Sequence, residues 1–224
     1  MAGLRSPVGL SYAVVALLGA VIAVDLLSIF VSLRVRSLMG DVIVGNFVSD
    51  AALEGVDSLT LVATVLFYGS VVASAVVFVV WFFRVRRNAE IFAPDLQRRG
   101  AGWAIGAWFV PIGNLWLPRG IATDILAASR RDPYGLGKSK GESGAVLDVW
   151  WTMWVASMLF NRWSWTTYRD ADTAQELGEA ADVAVIGELI NITAAVFAIL
   201  FVRMLTRMQQ LKAAPRPAER PVLN

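Results

Sequence analysis

Three acids, Asp25, Asp148 and Glu188, fall inside or at the edge of long apolar runs in this 224-residue chain. A carboxylate near the centre of a bilayer costs on the order of 3 kcal/mol, so an acid placed there usually faces a bundle interior and often marks function. A carboxylic acid kept out of water can also hold its proton and act as a donor at neutral pH. Asn191 follows Glu188 by three residues and shares its helical face.

The second chemical signal is aromatic. Trp150, Trp154, Ser157 and Asn161 follow the i, i+4, i+7, i+11 spacing of one helical stripe, and Asp148 and Trp151 form an adjacent i, i+3 pair. Trp103, Trp108 and Trp116 add three more indoles from the segment "GWAIGAWFVPIGNLWLPRG". Each aromatic face can stabilise a cation by about 0.5 to 2 kcal/mol. A proton donor in a dry, ring-walled site suits carbocation cyclisation of a prenyl chain of the farnesyl type, which needs no cofactor. On that reading Glu188, Asp25 or Asp148 supplies the proton, and Trp108, Asn114, Trp116, Trp151, Trp154, Asn191, Tyr68 and Asp124 line or flank the substrate site. The small membrane-bound terpene cyclases offer an analogy of size and chemistry only, with no shared motif.

Each of these groups also has a plainer role. An intramembrane acid can bond one helix to another, Asp124 can belong to an Arg-paired face, and tryptophans gather in belts at the membrane interface. Trp163, Trp165 and Trp81 are read as belt residues. Two other function classes therefore stand beside the cyclase. One is a non-enzymatic accessory or scaffold protein whose polar groups hold helices together. The other is a small permease that uses the acids as a proton relay and, with four crossings, needs to form oligomers.

The chain has no Cys and no His, which excludes disulfide frameworks, thiolate nucleophiles, Ser-His-Asp triads, Cys/His zinc sites and His-ligated haem. The 57% hydrophobic content and mean hydropathy of +0.59 mark an integral membrane protein. Its apolar runs at 8–33, 59–83 and 181–204 are each long enough to cross, and 145–160 is expected to be a fourth span. The first run continues past Asp25 and so reads as a retained anchor rather than a cleaved signal. An all-α polytopic helix bundle follows, with one membrane domain over 1–212 and a disordered Pro-rich tail over 213–224.

Charge orients the spans, because basic residues collect on the cytoplasmic side. The acidic loops after the first and fourth runs read as outside. Arg84, Arg86, Arg87, Arg98 and Arg99 read as inside, and so do Arg119, Arg130, Arg131, Lys138 and Lys140. Two successive inside loops imply that 103–117 does not cross. It reads as a re-entrant or interfacial hairpin broken by Pro111 and Pro118, with a fifth crossing as the alternative. The chain is thus expected in the plasma membrane with both termini cytoplasmic. Its spread-out basic residues reflect orientation rather than nucleic-acid binding. The Arg84, Arg86, Arg87 cluster suits anionic membrane-lipid headgroups, a diphosphate-bearing lipid being the more dedicated alternative. "GLGKSKG" lacks the leading Gly and preceding strand of a phosphate loop, and "NIT" at Asn191 lies inside a span.

The stretch "WFFRVRRNAEIFAPDLQRRGAGWAIGAWFVPIGNLWLPR", followed by "WWTMW" and "VRMLTRMQQ", resembles a family of actinobacterial multi-pass membrane proteins catalogued as a domain of unknown function, DUF4328. The resemblance covers roughly residues 81–210. It implies a plasma-membrane location and a shared fold, and it implies no activity.

Overall fold

The computed structural model describes residues 3–134 and 142–214, and the Pro-rich tail and the Gly-Lys stretch of the sequence reading lie outside or largely outside them. Among the described residues the ordered elements are helices. Helix α1 spans Val8–Ile43, α2 Asp50–Phe92, α3 Trp103–Gly106, α4 Leu117–Ser129, α5 Glu142–Arg169 and α6 Ala174–Ala213. Short 3-10 turns at Pro94–Leu96 and Gly113–Leu115 flank α3. At 1.5 Å per residue α1 runs to about 54 Å, well beyond a hydrocarbon core of roughly 30 Å. Helices α1, α2 and α6 are long and apolar enough to cross a bilayer. The expected fourth span, 145–160, lies within the 28-residue α5, which packs along α6 but is less apolar.

Local sequence sets the boundaries. Helix α1 begins directly after Pro7, and past its end Gly45 takes φ +76°, a conformation glycine tolerates without steric cost. The Ser49 hydroxyl caps α2 by accepting from the Ala52 amide at 3.3 Å. Pro94 follows α2 and stops it. Helix α6 opens on a capping box, in which Thr173 Oγ1 accepts from the Glu176 amide and Glu176 Oε2 accepts from the Thr173 amide.

The long helices stand side by side in the order α2, α1, α6, α5. Small residues make the close approaches, since Gly187 of α6 leaves room for Phe160 and Asn161 of α5, whose atoms would lie 3.2 and 3.3 Å from an added Cβ. Residue 3 and residue 214 lie at the same end of the bundle, the base, where Asn88 bonds both Arg5 and Gln209. Helix α3, the Gly113–Leu115 turn and α4 also lie at the base, between α2 and α5. Neither α3 nor α4, with 4 and 13 residues, is long enough to span, so the 103–117 stretch forms no fifth crossing helix. The buried core sits at this end too, built from Trp81, Phe82, Ile125, Leu147, Trp150 and Phe201 among others.

Candidate functional site

The acids sort into separate contacts. Asp25, near the middle of α1, is fully buried. Asn191 of α6 donates through Nδ2 to both of its carboxylate oxygens, at 3.0 and 2.9 Å. Glu188, one turn before Asn191, lies beside the same Asp25 carboxyl. The shared face of Glu188 and Asn191 expected from their spacing is therefore present, and it meets Asp25 across the α1–α6 interface.

Asp148 does not join that pair. It lies near the start of α5, where Arg119 Nη2 of α4 reaches its Oδ1 at 2.6 Å. Asp124 is also in an ion pair, with Arg98 Nη2 at 2.7 Å and Nε at 2.9 Å, and its main-chain oxygen accepts from Gln97. The hydrogen bond to Asp124 raises the Arg98 guanidinium above its ordinary value. Convergence of the three acids on one hollow is thus not what the structure has. Two helix-to-helix contacts stand in its place.

The indoles fill space with one another. Trp108, from the turn after α3, lies 5.7 and 5.9 Å from Phe78 and Phe82 of α2, and 6.0 and 5.8 Å from Trp151 and Trp154 of α5. Trp150 stacks on Phe201 of α6 at 4.8 Å. These are the separations of rings in direct contact. Their polar edges are also used, because Trp151 Nε1 donates to the Leu115 carbonyl at 2.9 Å and Trp108 Nε1 to that of Ala104 at 3.1 Å. Trp81 belongs here rather than in a belt, being fully buried with Nε1 on the Thr206 hydroxyl at 3.1 Å. Trp163 and Trp165 are exposed. Two residues expected at the pocket face outward, Trp116 on the 103–117 segment inserted between α2 and α5 and Tyr68 on the far half of α2, while Asn114 is half-buried in the turn.

The inserted segment carries a strained residue. Ile112, between Pro111 and Gly113, has φ +62°, and the Gly113 amide bonds back to the Pro111 carbonyl at 2.6 Å, closing a γ-turn. A β-branched residue in this region is a genuine outlier. It holds the exposed side chains of Phe109 and Ile112 at the outer edge of the segment.

A polar network at the base escaped the sequence reading. Gln209 of α6 is buried and donates through Nε2 to the Val85 carbonyl and the Ser129 hydroxyl, while its Oε1 accepts from Asn88. Lys212 caps the end of α4 through the carbonyls of Ala128 and Arg130. Arg86 is buried and donates to the Arg99 carbonyl, so it faces inward, unlike the headgroup role assigned to it from sequence. Periodicity held the signal: residues 84 and 87 share a helical face, and residue 86 lies nearly opposite residue 84. Two grooves open at this end. One of about 390 Å³ is bordered by Pro7, Phe92 and Gln209, and one of about 730 Å³ by Phe83, Arg84 and Arg87. Both lie away from the carboxyl pair and the tryptophans.

Against known proteins, the sequence model described as "Domain of unknown function (DUF4328)" matches residues 45–207. Among the curated proteins and among the solved structures, none matches. Glu188, Asn191 and the aromatic cluster fall within the matched residues, and Asp25 precedes them.

Proposed function

The chain belongs to the DUF4328 family, and from that premise we propose that it is a non-enzymatic membrane protein, an accessory or scaffold subunit whose intramembrane polar groups join helices. One observation carries this reading. The acids singled out within or at the edge of the apolar runs lie at contacts between helices, Asp25 of α1 bonded to Asn191 of α6 and beside Glu188, and Asp148 of α5 paired with Arg119 of α4. The chain sits in the plasma membrane with α1, α2, α5 and α6 crossing and the base cytoplasmic, which puts the Arg84, Arg98 and Arg130 regions on the basic side.

Replacing Glu188 by Gln keeps a hydrogen-bonding group of the same shape and removes the acid. In the scaffold reading Glu188→Gln leaves any deletion phenotype complemented and changes only yield or monodispersity. Loss of complementation by a well-assembled Glu188→Gln protein counts against it.

The two neighbouring carboxyls, lying near the middle of two apolar helices, favour a second reading, a proton-coupled permease. Proton flux into proteoliposomes that disappears in Asp25→Asn supports that reading over the scaffold. The prenyl cyclase draws on the same acids with Trp108, Trp151 and Trp154, but it needs open space between rings that here touch. Its test is incubation of the purified protein with farnesylated substrates, where a cyclised product displaces both other readings.

A further inference from the structure

We propose that the larger groove at the base is a binding site for one anionic phospholipid, with the headgroup phosphate on Arg5, Arg84 and Arg87 and an acyl chain against Val80 and Phe83. The groove runs along the outer face of α2 and is walled on its other side by Gly3 and Arg5 of the N-terminal segment. Its lining changes in the order a lipid does. Val80 and Phe83 end the apolar part of α2, and Arg84 and Arg87 follow on the same face. Three guanidinium groups border the groove against one carboxylate, Glu90, which Arg87 and Arg86 already approach at 3.3 and 3.7 Å. The surplus charge is positive, at the place where a helix leaves the apolar layer, and that complements an anionic headgroup.

The wall is built rather than incidental. Asn88 grips the main chain of Arg5 from both sides, accepting from its amide at 3.1 Å and donating to its carbonyl at 2.9 Å. Arg84 Nη1 adds a bond to the Ser6 carbonyl at 3.3 Å. This clamp spends no atom of the Arg5 side chain, which is exposed over the groove. The sequence reading assigned Arg86 to the same headgroup cluster, but its burial removes it and leaves Arg84 and Arg87, with Arg5 joining from a segment 79 positions away from Arg84.

The proposal is independent of whether the bundle is a scaffold, a permease or an enzyme. The test is native mass spectrometry of the purified full chain in detergent, with phosphatidylglycerol or phosphatidylcholine added at equal concentration. The expected result is preferential retention of phosphatidylglycerol. That preference falls about fivefold in Arg5→Gln and about thirtyfold in Arg84→Gln/Arg87→Gln, following the contribution of one basic residue at an anionic surface. Arg5→Gln guards against misfolding, since the Asn88 clamp holds main chain only, and Arg84→Lys/Arg87→Lys should keep most of the preference. Equal retention of the two lipids by the wild type, or an unchanged preference in Arg5→Gln and the double Gln variant, overturns the site. Displacement of bound phosphatidylglycerol by millimolar inorganic phosphate overturns the lipid assignment in favour of a free-phosphate site.

Discussion

The base of the bundle and its far end are made from the same long helices, yet different things lie between them. At the base, Trp81, Phe82, Trp150 and Phe201 are buried against one another, and Gln209 ties α6 to α2 and α4. Toward the far end α2 leaves Leu61, Val62, Val65, Tyr68 and Val72 exposed. The long helices form a row with α2 and α5 at its two edges, and a row does not close on itself. At the base the two edges do meet, directly through Phe78 and Trp150 at 5.5 Å and through the inserted segment, whose Trp108 reaches Phe78 and Phe82 on one edge and Trp151 and Trp154 on the other. In lipid, apolar burial between helices gains little over contact with acyl chains, so association rests on close packing and hydrogen bonds. Both are concentrated where the segment enters. A stretch too short to cross the membrane thus completes the interior of the bundle.

The largest test of this contrast is Phe201→Ala, which removes a fully buried ring stacked on Trp150 and edge-on to Trp81. It should cost about 3 to 5 kcal/mol, read as a large drop in the thermal unfolding midpoint of the detergent-solubilised protein. A shift no larger than that of an exposed far-end leucine would erase the distinction between the two regions. Gln209→Leu should come next, at about 1 to 3 kcal/mol, because it leaves Asn88 and Ser129 without their buried partner. The same thermal assay reads it. Gln209→Glu, close in shape but unable to make both of the bonds that Nε2 donates to Val85 and Ser129, should fall near the same value.

The helices were legible because length and apolarity alone decide whether a run can span, and the runs at 8–33, 59–83 and 181–204 all lie within single helices. The pairing of Glu188 with Asn191 was legible from a three-residue spacing. Asp25 as their partner was not, since helical period gives a face but never the neighbour across it. The same limit explains Asp148, whose ion pair with Arg119 depends on where α4 turns back. Trp81 was misread for a different reason. A tryptophan next to an arginine at the end of a span has the local sequence of a belt residue, and only the arrival of Thr206 and Phe201 from α6 makes it core. Gln209 and Asn88 carried no signal of their own, because a polar residue near a helix end is ordinarily solvated.

A smaller effect probes the far end directly. Thr173→Ala removes both the hydroxyl that caps α6 and its bond to Glu176, at about 1 kcal/mol. Hydrogen exchange should speed up over the first turn of α6 while amides around Val85 and Leu205 keep their protection. If protection at the base falls as well, the two ends are one cooperative unit and the contrast is only one of packing density.

The smallest expected change is Leu61→Ala. Leu61 is 65% exposed on α2, well away from the inserted segment, so truncating it opens no cavity and breaks no hydrogen bond. The unfolding midpoint should therefore stay within the equivalent of about 0.5 kcal/mol of the wild type, the ordinary range for a surface change. The experiment pairs with Phe201→Ala, since both remove apolar atoms from a spanning helix, the ring from a packed interior and the smaller leucine from an exposed face. A Leu61→Ala protein that loses stability, or that changes its apparent size in solution, would mean that this face is covered by a second protein surface. The bare edge of the row would then be an interface, and the inserted segment would close only one of its two ends.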